Sequence, residues 1–528
     1  MDVPRRHRPA SVPRYRRTDR RAVALLAGAG LALTGCTIPN PFDRDATASP
    51  TLATSDRVPP GQEALAKFYE QTLTWSDCGG PQCAKLTVPI DYADPQGATI
   101  QLSVLKVSRR GGGTALGSLV VNPGGPGGSG VDYAKYADFI VGTPVRKAYD
   151  VVGFDPRGVA ASAPIECVKP AQMDTFLGQD PTPDDRSEED EAVRLAKDFG
   201  AACQANAGPL LPHVSTVEAA KDMDILRAAL GDAKLTYLGK SYGTFLGATY
   251  AGLFPDRVGR FVLDGAVAPN LTPEQFAVGQ AKGFDVATKA WAQDCVESGK
   301  CPLGKDVDAV VTGLIDLLAK LDATAAPVTG DARVTKLTER WASYGVAAAM
   351  YDQGRCDALT EALRAVVAGD GTELMAMADD YAERRPNGSY SGNLMQVINA
   401  VNCLDNGDSA DPAVYRERAK AAEQAAPVFG RLLAWSGLVC GNWPIKPTGK
   451  GEKITAPGAA PIVIVGTTRD PATPYEWAVD LAGQLESGVL LTMDGDGHTA
   501  YMRANTCIDN AINDYYVKDA VPADGTRC

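Results

Sequence analysis

A chain of 528 residues with 45% hydrophobic and 22% charged side chains has the composition of an ordinary globular protein, and its length suits one large core that carries an inserted second domain. The formal net charge of -12 argues against a nucleic-acid partner. Binding to phosphates requires clustered Lys and Arg, and such clusters occur here only at the extreme N-terminus.

The basic N-terminus is typical of an export signal. Arginines are frequent up to Arg21, and the apolar run 22–33 that follows is too short to span a bilayer. The run ends in Leu-Thr-Gly-Cys at 33–36, which resembles a bacterial lipobox. We therefore predict a lipoprotein-type signal peptide over 1–35, with Cys36 lipidated and the lipid as the only membrane contact. An ordinary secretory cleavage is the alternative, and Sec and twin-arginine export both stay open.

Residues 36–69 are predicted to be a disordered tether. Their first part, from 37 to about 60, is rich in Pro, Thr, Ser and Asp and has too little apolar surface to fold by itself. An extracellular or cell-envelope location follows from the signal and the tether together.

Eleven cysteines follow Cys36, and in an oxidising compartment they are expected to form disulfides. Short spacings indicate Cys78 with Cys83, Cys295 with Cys301 and Cys507 with Cys528, and elimination adds Cys167 with Cys203 and Cys403 with Cys440, which leaves Cys356 over. Zinc is not expected, because the chain has no Cys-x-x-Cys pair and only three histidines. No other metal and no cofactor is predicted.

Apolar runs that read as strands alternate with helical patterns, which predicts an α/β fold with a mostly parallel central sheet. The predicted strands are 86–90, 100–107, 118–121, 151–154, 236–238, 261–263, 461–465 and 489–493, and a helix is predicted over 216–230 with a capped start at Thr216. Between 270 and 456 the pattern is mainly helical. The predicted core therefore covers 70–269 and 457–528, with an inserted helical cap at 270–456.

Gly-Lys-Ser-Tyr-Gly at 239–243 lies between a predicted strand and a helical pattern, the context of a nucleophile elbow in an α/β-hydrolase fold. Glycines flank the serine because the turn is tight, and Ser241 is forced into a strained, exposed conformation. A chance match in a glycine-rich chain is the alternative interpretation. The context favours Ser241 as a nucleophile.

A serine hydroxyl needs a base, and His498 is the candidate. His7 lies in the signal peptide, and His213 lies in a Pro-rich turn where a structural role is the better interpretation, whereas His498 follows the strand 489–493. Asp470, directly after the strand 461–465, is the predicted acid that orients His498. Asp264, at the end of the strand after the elbow, is the alternative acid.

Asn-Pro-Gly-Gly-Pro-Gly-Gly at 122–128 follows another predicted strand and offers a backbone that a ligand can approach closely. A phosphate-binding loop would need a following Gly-Lys-Ser/Thr or a dinucleotide fingerprint, and neither is present. We predict that the amides of Gly125 and Tyr242 form an oxyanion hole.

Four motifs together resemble the secreted tripeptidyl aminopeptidases of Streptomyces and their mycobacterial cell-envelope relatives: the glycine loop at 122–128, Asp-Pro-Arg-Gly at 155–158, Gly-Lys-Ser-Tyr-Gly-Thr at 239–244 and Leu-Asp-Gly at 263–265. The likeness spans about residues 70–528. This group is similar to proline iminopeptidases, whose glycine loop begins His-Gly-Gly-Pro-Gly; Gly125 matches their oxyanion-hole glycine, and Pro123 replaces the histidine. The resemblance implies a serine peptidase that releases tripeptides from free N-termini.

Such a peptidase needs a negative group for the substrate's α-ammonium, and Asp405 in the cap is the candidate, with a simple turn residue as the alternative. The triad does not determine the acyl group, so a carboxylesterase and an endopeptidase stay open. A non-catalytic envelope lipoprotein that binds peptides is the alternative of another class. The expected partners are peptides or proteins, and the sequence does not indicate an oligomeric state.

Overall fold

The computed structural model describes residues 57–112, 115–503 and 505–528. The predicted signal peptide, the lipidation site Cys36 and most of the predicted tether lie outside these residues. What the sequence predicts for these segments therefore stays a prediction.

Two sheets occur in the described residues. The strands are β1 (Ser76–Asp77), β2 (Gln82–Pro89), β3 (Thr99–Val107), β4 (Gly117–Asn122), β5 (Tyr149–Phe154), β6 (Leu235–Lys240), β7 (Val258–Asp264), β8 (Ala326–Pro327), β9 (Lys336–Leu337), β10 (Ile462–Arg469), β11 (Gly488–Asp496) and β12 (Thr526–Arg527). Ten of them form one sheet in the order β1-β2-β3-β5-β4-β6-β7-β10-β11-β12, and β8 pairs with β9.

The main sheet is antiparallel at one edge and parallel everywhere else. β1, β2, β3 and β5 pair antiparallel in that order, and every pairing from β5 through β4, β6, β7, β10 and β11 to β12 is parallel. A mostly parallel sheet with helices on its faces is the α/β-hydrolase architecture that the sequence predicts.

Helices cover both faces of the sheet and make up most of the interval between β7 and β10. They are α1 (Ala66–Tyr69), α2 (Gly130–Lys135), α3 (Ala137–Ile140), α4 (Thr143–Ala148), α5 (Pro170–Leu177), α6 (Arg186–Asn206), α7 (Thr216–Leu230), α8 (Tyr242–Leu253), α9 (Pro273–Glu297), α10 (Val307–Ala323), α11 (Glu339–Met350), α12 (Cys356–Val367), α13 (Thr372–Ala382), α14 (Leu394–Asp405), α15 (Pro412–Ala425), α16 (Gly430–Ala434), α17 (Leu438–Gly441), α18 (Tyr475–Gln484) and α19 (Thr506–Lys518). Short 3-10 turns occupy Glu63–Leu65, Gly208–His213, Pro255–Arg257 and Gln353–Arg355.

Successive residues of the central strands enter different hydrophobic cores because side chains alternate across a sheet. On β4, Val120 packs with the core that includes α7 and α8, whereas Leu119 and Val121 pack with the core that includes α2 and α19. This burial on both faces explains why the central strands are continuous apolar runs in the sequence.

The interval 270–456 contains α9 to α17 and the β8–β9 hairpin, so its helical pattern is present in the structure. The domain boundaries themselves stay a prediction. No helix in the described residues is long and apolar enough to cross a membrane.

Two local predictions are corrected. The tether was predicted to reach residue 69, but Leu65, Phe68 and Tyr69 are buried and the Tyr69 hydroxyl donates a hydrogen bond to Asp224 (2.8 Å), so apolar packing orders the chain earlier. Helix α7 is capped by Ser215 and not by Thr216, because the Ser215 hydroxyl accepts from the amide of Glu218. All five predicted disulfides are present, and Cys356 is the free cysteine of the described residues.

Candidate active site

Ser241 occupies a sharp turn between β6 and α8. Its backbone angles, φ 56° and ψ -126°, are strained for a residue with a side chain. A Cβ at Gly239 would lie 2.3 Å from the carbonyl oxygen of Gly243, and one at Gly243 would lie 2.8 Å from Oδ1 of Asn122. Both flanking positions therefore exclude any side chain, and the tight, strained turn expected at Ser241 is present.

His498 and Asp470 are in direct contact. The Nδ1 atom of His498 lies 2.8 Å and 3.0 Å from the two carboxylate oxygens of Asp470, and both side chains are buried. Asp470 also accepts hydrogen bonds from the amides of Ala472, Thr473 and Thr499. These amides hold the carboxylate in place, so the proton of His498 is directed to Nδ1 and Nε2 is left as the acceptor.

Asp264, the alternative acid, has a different function in the fold. Its carboxylate accepts hydrogen bonds from the amides of Ala500 (2.8 Å) and Tyr501 (3.0 Å), and its carbonyl oxygen accepts from the amide of Ser241 (2.9 Å). Asp264 ends β7, which lies between the strands that precede Ser241 and Asp470. It therefore connects the turn at Ser241 to the loop that carries His498, and it forms no hydrogen bond or ion pair with His498.

Ser241 and His498 line the same cavity, which has a volume of about 630 Å³. Nε2 of His498 is buried and has no hydrogen-bond partner in the described part of the chain, so its bond to the Ser241 hydroxyl is not made in this structure. Catalytic hydrogen bonds of this type are often loose until a substrate binds. The histidine is thus oriented by Asp470 with its free nitrogen available.

The glycine loop 122–128 packs directly on the elbow. A Cβ at Gly124 would lie 2.9 Å from Cβ of Ser241 and 3.1 Å from the amide nitrogen of Tyr242. Gly125 and Tyr242 both line the cavity, and neither amide donates a hydrogen bond to another described residue. Two free amides beside a serine can hold an oxyanion.

Three contacts at the site were not predicted from the sequence. The guanidinium of Arg469 bridges Asp494 (3.1 Å) and Asp496 (2.7 Å), which connects the loops that carry Asp470 and His498. Tyr351 lies in the interval predicted as the cap, and its backbone carbonyl oxygen accepts a hydrogen bond from the amide of His498. The ring of Tyr351 meets the imidazole of His498 edge-on, with 5.1 Å between the ring centres. The Thr473 hydroxyl lies 3.3 Å from Nδ1 of His498, farther than Asp470. The two residues in each of these contacts are 25 to 147 positions apart in the sequence, so no local sequence pattern predicts the contact.

Asp405 is buried at the end of α14 and lines the cavity. Its carboxylate accepts hydrogen bonds from the amide (2.9 Å) and the hydroxyl of Thr216, and the Thr216 hydroxyl also lies 2.6 Å from the phenol oxygen of Tyr242. Burial raises the pKa of Asp405 to about 7, although the bonds from Thr216 act in the opposite direction and Glu218 adds to the rise. Asp405 therefore changes charge near neutral pH.

The acidic residues on the cavity wall differ in their partners. Asp408 is held by Arg418 at 2.8 Å and 3.0 Å, and Glu274 lies 3.5 Å from the same guanidinium. The carboxylate of Asp405 has only neutral partners among the described residues. Glu274 and Asp408 therefore lie beside a cation, whereas Asp405 and the fourth acid of the cavity wall, Asp180, form no ion pair with a described residue.

Comparison with known proteins identifies the family. Residues 426–528 match the model of a family described as TAP-like protein. The serine protease Hip1 of Mycobacterium tuberculosis is 38% identical over 494 residues, which cover 89% of this chain and 94% of that protein. The tripeptidyl aminopeptidase of Streptomyces coelicolor is 35% identical, over 88% of this chain and 87% of its own length.

The chain belongs to the TAP-like family of α/β hydrolases. It is a serine hydrolase by this membership. Carboxylesterase B of M. tuberculosis is also 35% identical, over 91% of this chain and 95% of that protein. Among solved structures, the proline iminopeptidase of Mycobacterium smegmatis aligns with a TM-score of 0.33 at 13% identity, over 82% of this chain and 97% of its own. The three curated relatives carry the names of three activities, so family membership alone does not choose between them.

Among the described residues of this TAP-like hydrolase, two groups of side chains have ligand atoms close enough together for a metal ion: Asp91, His213 and Glu218, and Asp180, Asp322 and Glu339. In the first group, His213 contacts Glu218 at 2.9 Å. In the second, burial raises the pKa of Glu339 to about 7, and its carboxylate accepts a hydrogen bond from Thr182. Exposed acidic groups of this kind are common without an ion, and the expectation of no metal stays a prediction.

Proposed function

We propose that this chain is an exported serine peptidase that releases tripeptides from free N-termini, with Ser241 as nucleophile, His498 as base and Asp470 as the acid that orients it. The supporting observation is the contact between His498 and Asp470 in the cavity that Ser241 also lines. A buried imidazole with one nitrogen on a carboxylate and the other free is the arrangement that a general base requires.

The proposed reaction uses each of these groups once in each half. The Ser241 oxygen attacks the scissile carbonyl carbon while Nε2 of His498 takes the hydroxyl proton, and the carbonyl oxygen becomes an oxyanion that the amides of Gly125 and Tyr242 stabilise. The C–N bond then breaks, and His498 gives its proton to the leaving amine. Water attacks the acyl-enzyme by the same route, which releases the short peptide and restores Ser241.

The position of Asp405 supports the tripeptide length. Between Ser241 and Asp405 lie the side chain of Tyr242 and two hydrogen bonds through the Thr216 hydroxyl. An extended chain advances about 3.3–3.6 Å per residue, so the ammonium of a tripeptide lies about 7–10 Å from its scissile carbonyl. An anchor that a tyrosine side chain and two hydrogen bonds separate from Ser241 suits an acyl segment longer than one residue.

A carboxylesterase or an endopeptidase that uses the same residues is the second candidate, and the relative named Carboxylesterase B favours it. A non-catalytic peptide-binding lipoprotein is the third. These candidates differ in what they require: an aminopeptidase needs a free amine, an esterase needs only an activated ester, and a binding protein needs no Ser241.

The experiment is a substrate series on purified protein. Peptide anilides of one to five neutral residues, each with a free or an acetylated N-terminus, are compared with short p-nitrophenyl esters. We expect the free tripeptide anilide to have the highest kcat/KM, Ser241→Ala to abolish turnover, and the exposed Ser187→Ala to leave it intact. Equal rates for the free and the acetylated tripeptide would reject the aminopeptidase.

Export as a lipoprotein belongs to the same proposal. The signal-type segment ending at Cys36 and the five disulfides support it, because disulfides persist outside the reducing cytoplasm. Metabolic labelling with a radioactive fatty acid tests the lipid: we expect label on the native chain and none on Cys36→Ala. Label on neither protein would leave a secreted enzyme without an anchor.

A further inference from the structure

Two arginines line the cavity, and they differ in their partners. Arg418 is neutralised by Asp408 and Glu274. Arg340, at the beginning of α11, forms no ion pair and no side-chain hydrogen bond with any described residue, and its Nε atom is buried without a partner. A buried donor without an acceptor costs stability, so an unpaired guanidinium in a cavity is available for a ligand.

Arg340 stands at the end of an aromatic wall that begins at the catalytic histidine. Its guanidinium lies 5.7 Å from the ring centre of Tyr344, which stacks on Tyr381 at 5.3 Å. Tyr381 meets Tyr351 at 6.0 Å, and Tyr351 meets His498 at 5.1 Å. The ring of Tyr344 supports the planar guanidinium and leaves its donors in their fixed fork.

The wall indicates which part of a substrate reaches Arg340. In the proposed reaction His498 gives its proton to the leaving amine, so the leaving segment lies on the His498 side of the scissile bond. Asp405 is reached from the other side, through the side chain of Tyr242. In the proposed reaction, Asp405 is therefore on the acyl side of the scissile bond and the unpaired guanidinium of Arg340 is on the leaving-group side.

We propose that Arg340 binds a carboxylate of the leaving segment, so that the preferred substrates are short peptides with a negative charge beyond the scissile bond. This inference rests on the proposed peptidase function. Arg340 is a specificity-determining residue in it and takes no part in the bond changes. The carboxylate is either the C-terminus of the peptide or an acidic side chain, since both present the same planar pair of acceptors.

The test compares matched substrates that differ only in this charge. The first pair is a neutral peptide as the free acid and as the C-terminal amide, and the second is the amidated peptide with Glu or Gln in the leaving segment. Each pair is made at lengths from five to nine residues, because four contacts of 5.1–6.0 Å lead from His498 to Arg340 and an extended chain advances about 3.3–3.6 Å per residue. We expect the charged member of at least one pair to have a kcat/KM about 10- to 100-fold above its neutral partner, and the pair that shows it identifies the source of the carboxylate.

The variants separate binding from packing. In Arg340→Gln the charged-to-neutral ratio should fall to about one, and in Arg340→Lys it should be intermediate because the charge remains without the fork. Arg364→Gln, a surface arginine paired with Glu361 outside the cavity, is the matched control and should keep the wild-type ratio. A structural role of Arg340 would lower both members of a pair equally and leave the ratio unchanged.

A ratio of about one in the wild type for both pairs, or a raised ratio that survives in Arg340→Gln, overturns the proposal. Failure of the proposed function is a different result: the wild type would cleave aryl esters but no peptide. The substrate pair is then 4-acetoxybenzoate, which carries a carboxylate on the leaving phenol, and its neutral primary amide. The charged-to-neutral ratio of kcat/KM in the same variants then tests whether Arg340 binds the carboxylate.

Discussion

Ionisation of Asp405 gives the sharpest prediction for the proposed peptidase. Burial raises its pKa to about 7, so the carboxylate that would bind an α-ammonium is present above that pH and is lost below it. The free α-amine of a peptide loses its proton above about pH 7.7–8.0. The preference for a free over an acetylated N-terminus should therefore be greatest between pH 7 and 8.

The size of the effect follows from the same pKa. Below pH 7 the ionised fraction of Asp405 falls about tenfold per pH unit, until the charge-assisted contribution is exhausted. A hydrogen bond to a charged group contributes about 1.5–3 kcal/mol, which corresponds to about 10- to 100-fold in binding. The preference should thus fall steeply between pH 7 and 5 and then level off, and Asp405→Asn should lie at the lower level at every pH.

The assay is the ratio of kcat/KM for free and acetylated tripeptide anilides from pH 5 to 9. The ratio cancels every effect of pH that the two substrates share and leaves the effects of the groups that distinguish a free amine. Asp294→Asn, an exposed acid on α9, is the control and should reproduce the wild-type curve. A flat ratio in the wild type, or a curve that Asp405→Asn leaves unchanged, refutes Asp405 as the anchor.

Three further predictions concern the site and the fold. Asp470→Asn should lower kcat by about 10⁴-fold in a folded protein, because the imidazole of His498 loses its orientation. Asp264→Asn should mainly lower Tm, because Asp264 accepts hydrogen bonds from buried amides. Steady-state kinetics and thermal melting distinguish the two effects. Arg469→Gln should lower kcat/KM by about tenfold or more with a much smaller change in Tm, because the loops that carry Asp470 and His498 are no longer connected by the guanidinium. An unchanged kcat/KM would show that these loops hold their positions without Arg469. Phe68→Ala should cost about 3–5 kcal/mol of unfolding free energy in urea, while the exposed Glu70→Ala should cost little; equal effects would contradict the packing of α1.

The periodic patterns of the sequence predict most of the fold. The helix expected over 216–230 is α7 to the residue, and all eight predicted strands occur, because burial on both faces of the sheet requires continuous apolar runs. The predicted strand ends fall short where the ladder continues into polar residues: β10 and β11 extend to Arg469 and Asp496, which pair across the two strands. The hydropathy pattern alone does not predict strand residues that are held by such an ion pair.

The sequence predicts those residues of the candidate site that come just after a predicted strand. Ser241, Asp470 and His498 each come directly after a parallel strand, and parallel strands bring their carboxyl ends to one edge of the sheet. Asp264 also lies at the end of a parallel strand, so the sequence leaves it as the alternative to Asp470, and the contact of His498 with Asp470 is visible only in the structure. The bond from Thr216 to Asp405 joins residues 189 positions apart, and no spacing in the sequence predicts such a contact.

The two proposed subsites suggest why relatives of one family carry the names of a protease, an aminopeptidase and a carboxylesterase. The proposed nucleophile, acid and base follow the carboxyl ends of the parallel strands, where a shift of any strand would disturb all three together. Asp405 and Arg340 belong to helices of the interval between β7 and β10, where a substitution changes which charge the cavity presents without altering the catalytic contacts. Substrate preference can therefore diverge within the family while the chemistry stays the same, and the charge of the cavity wall is the feature to compare among its members.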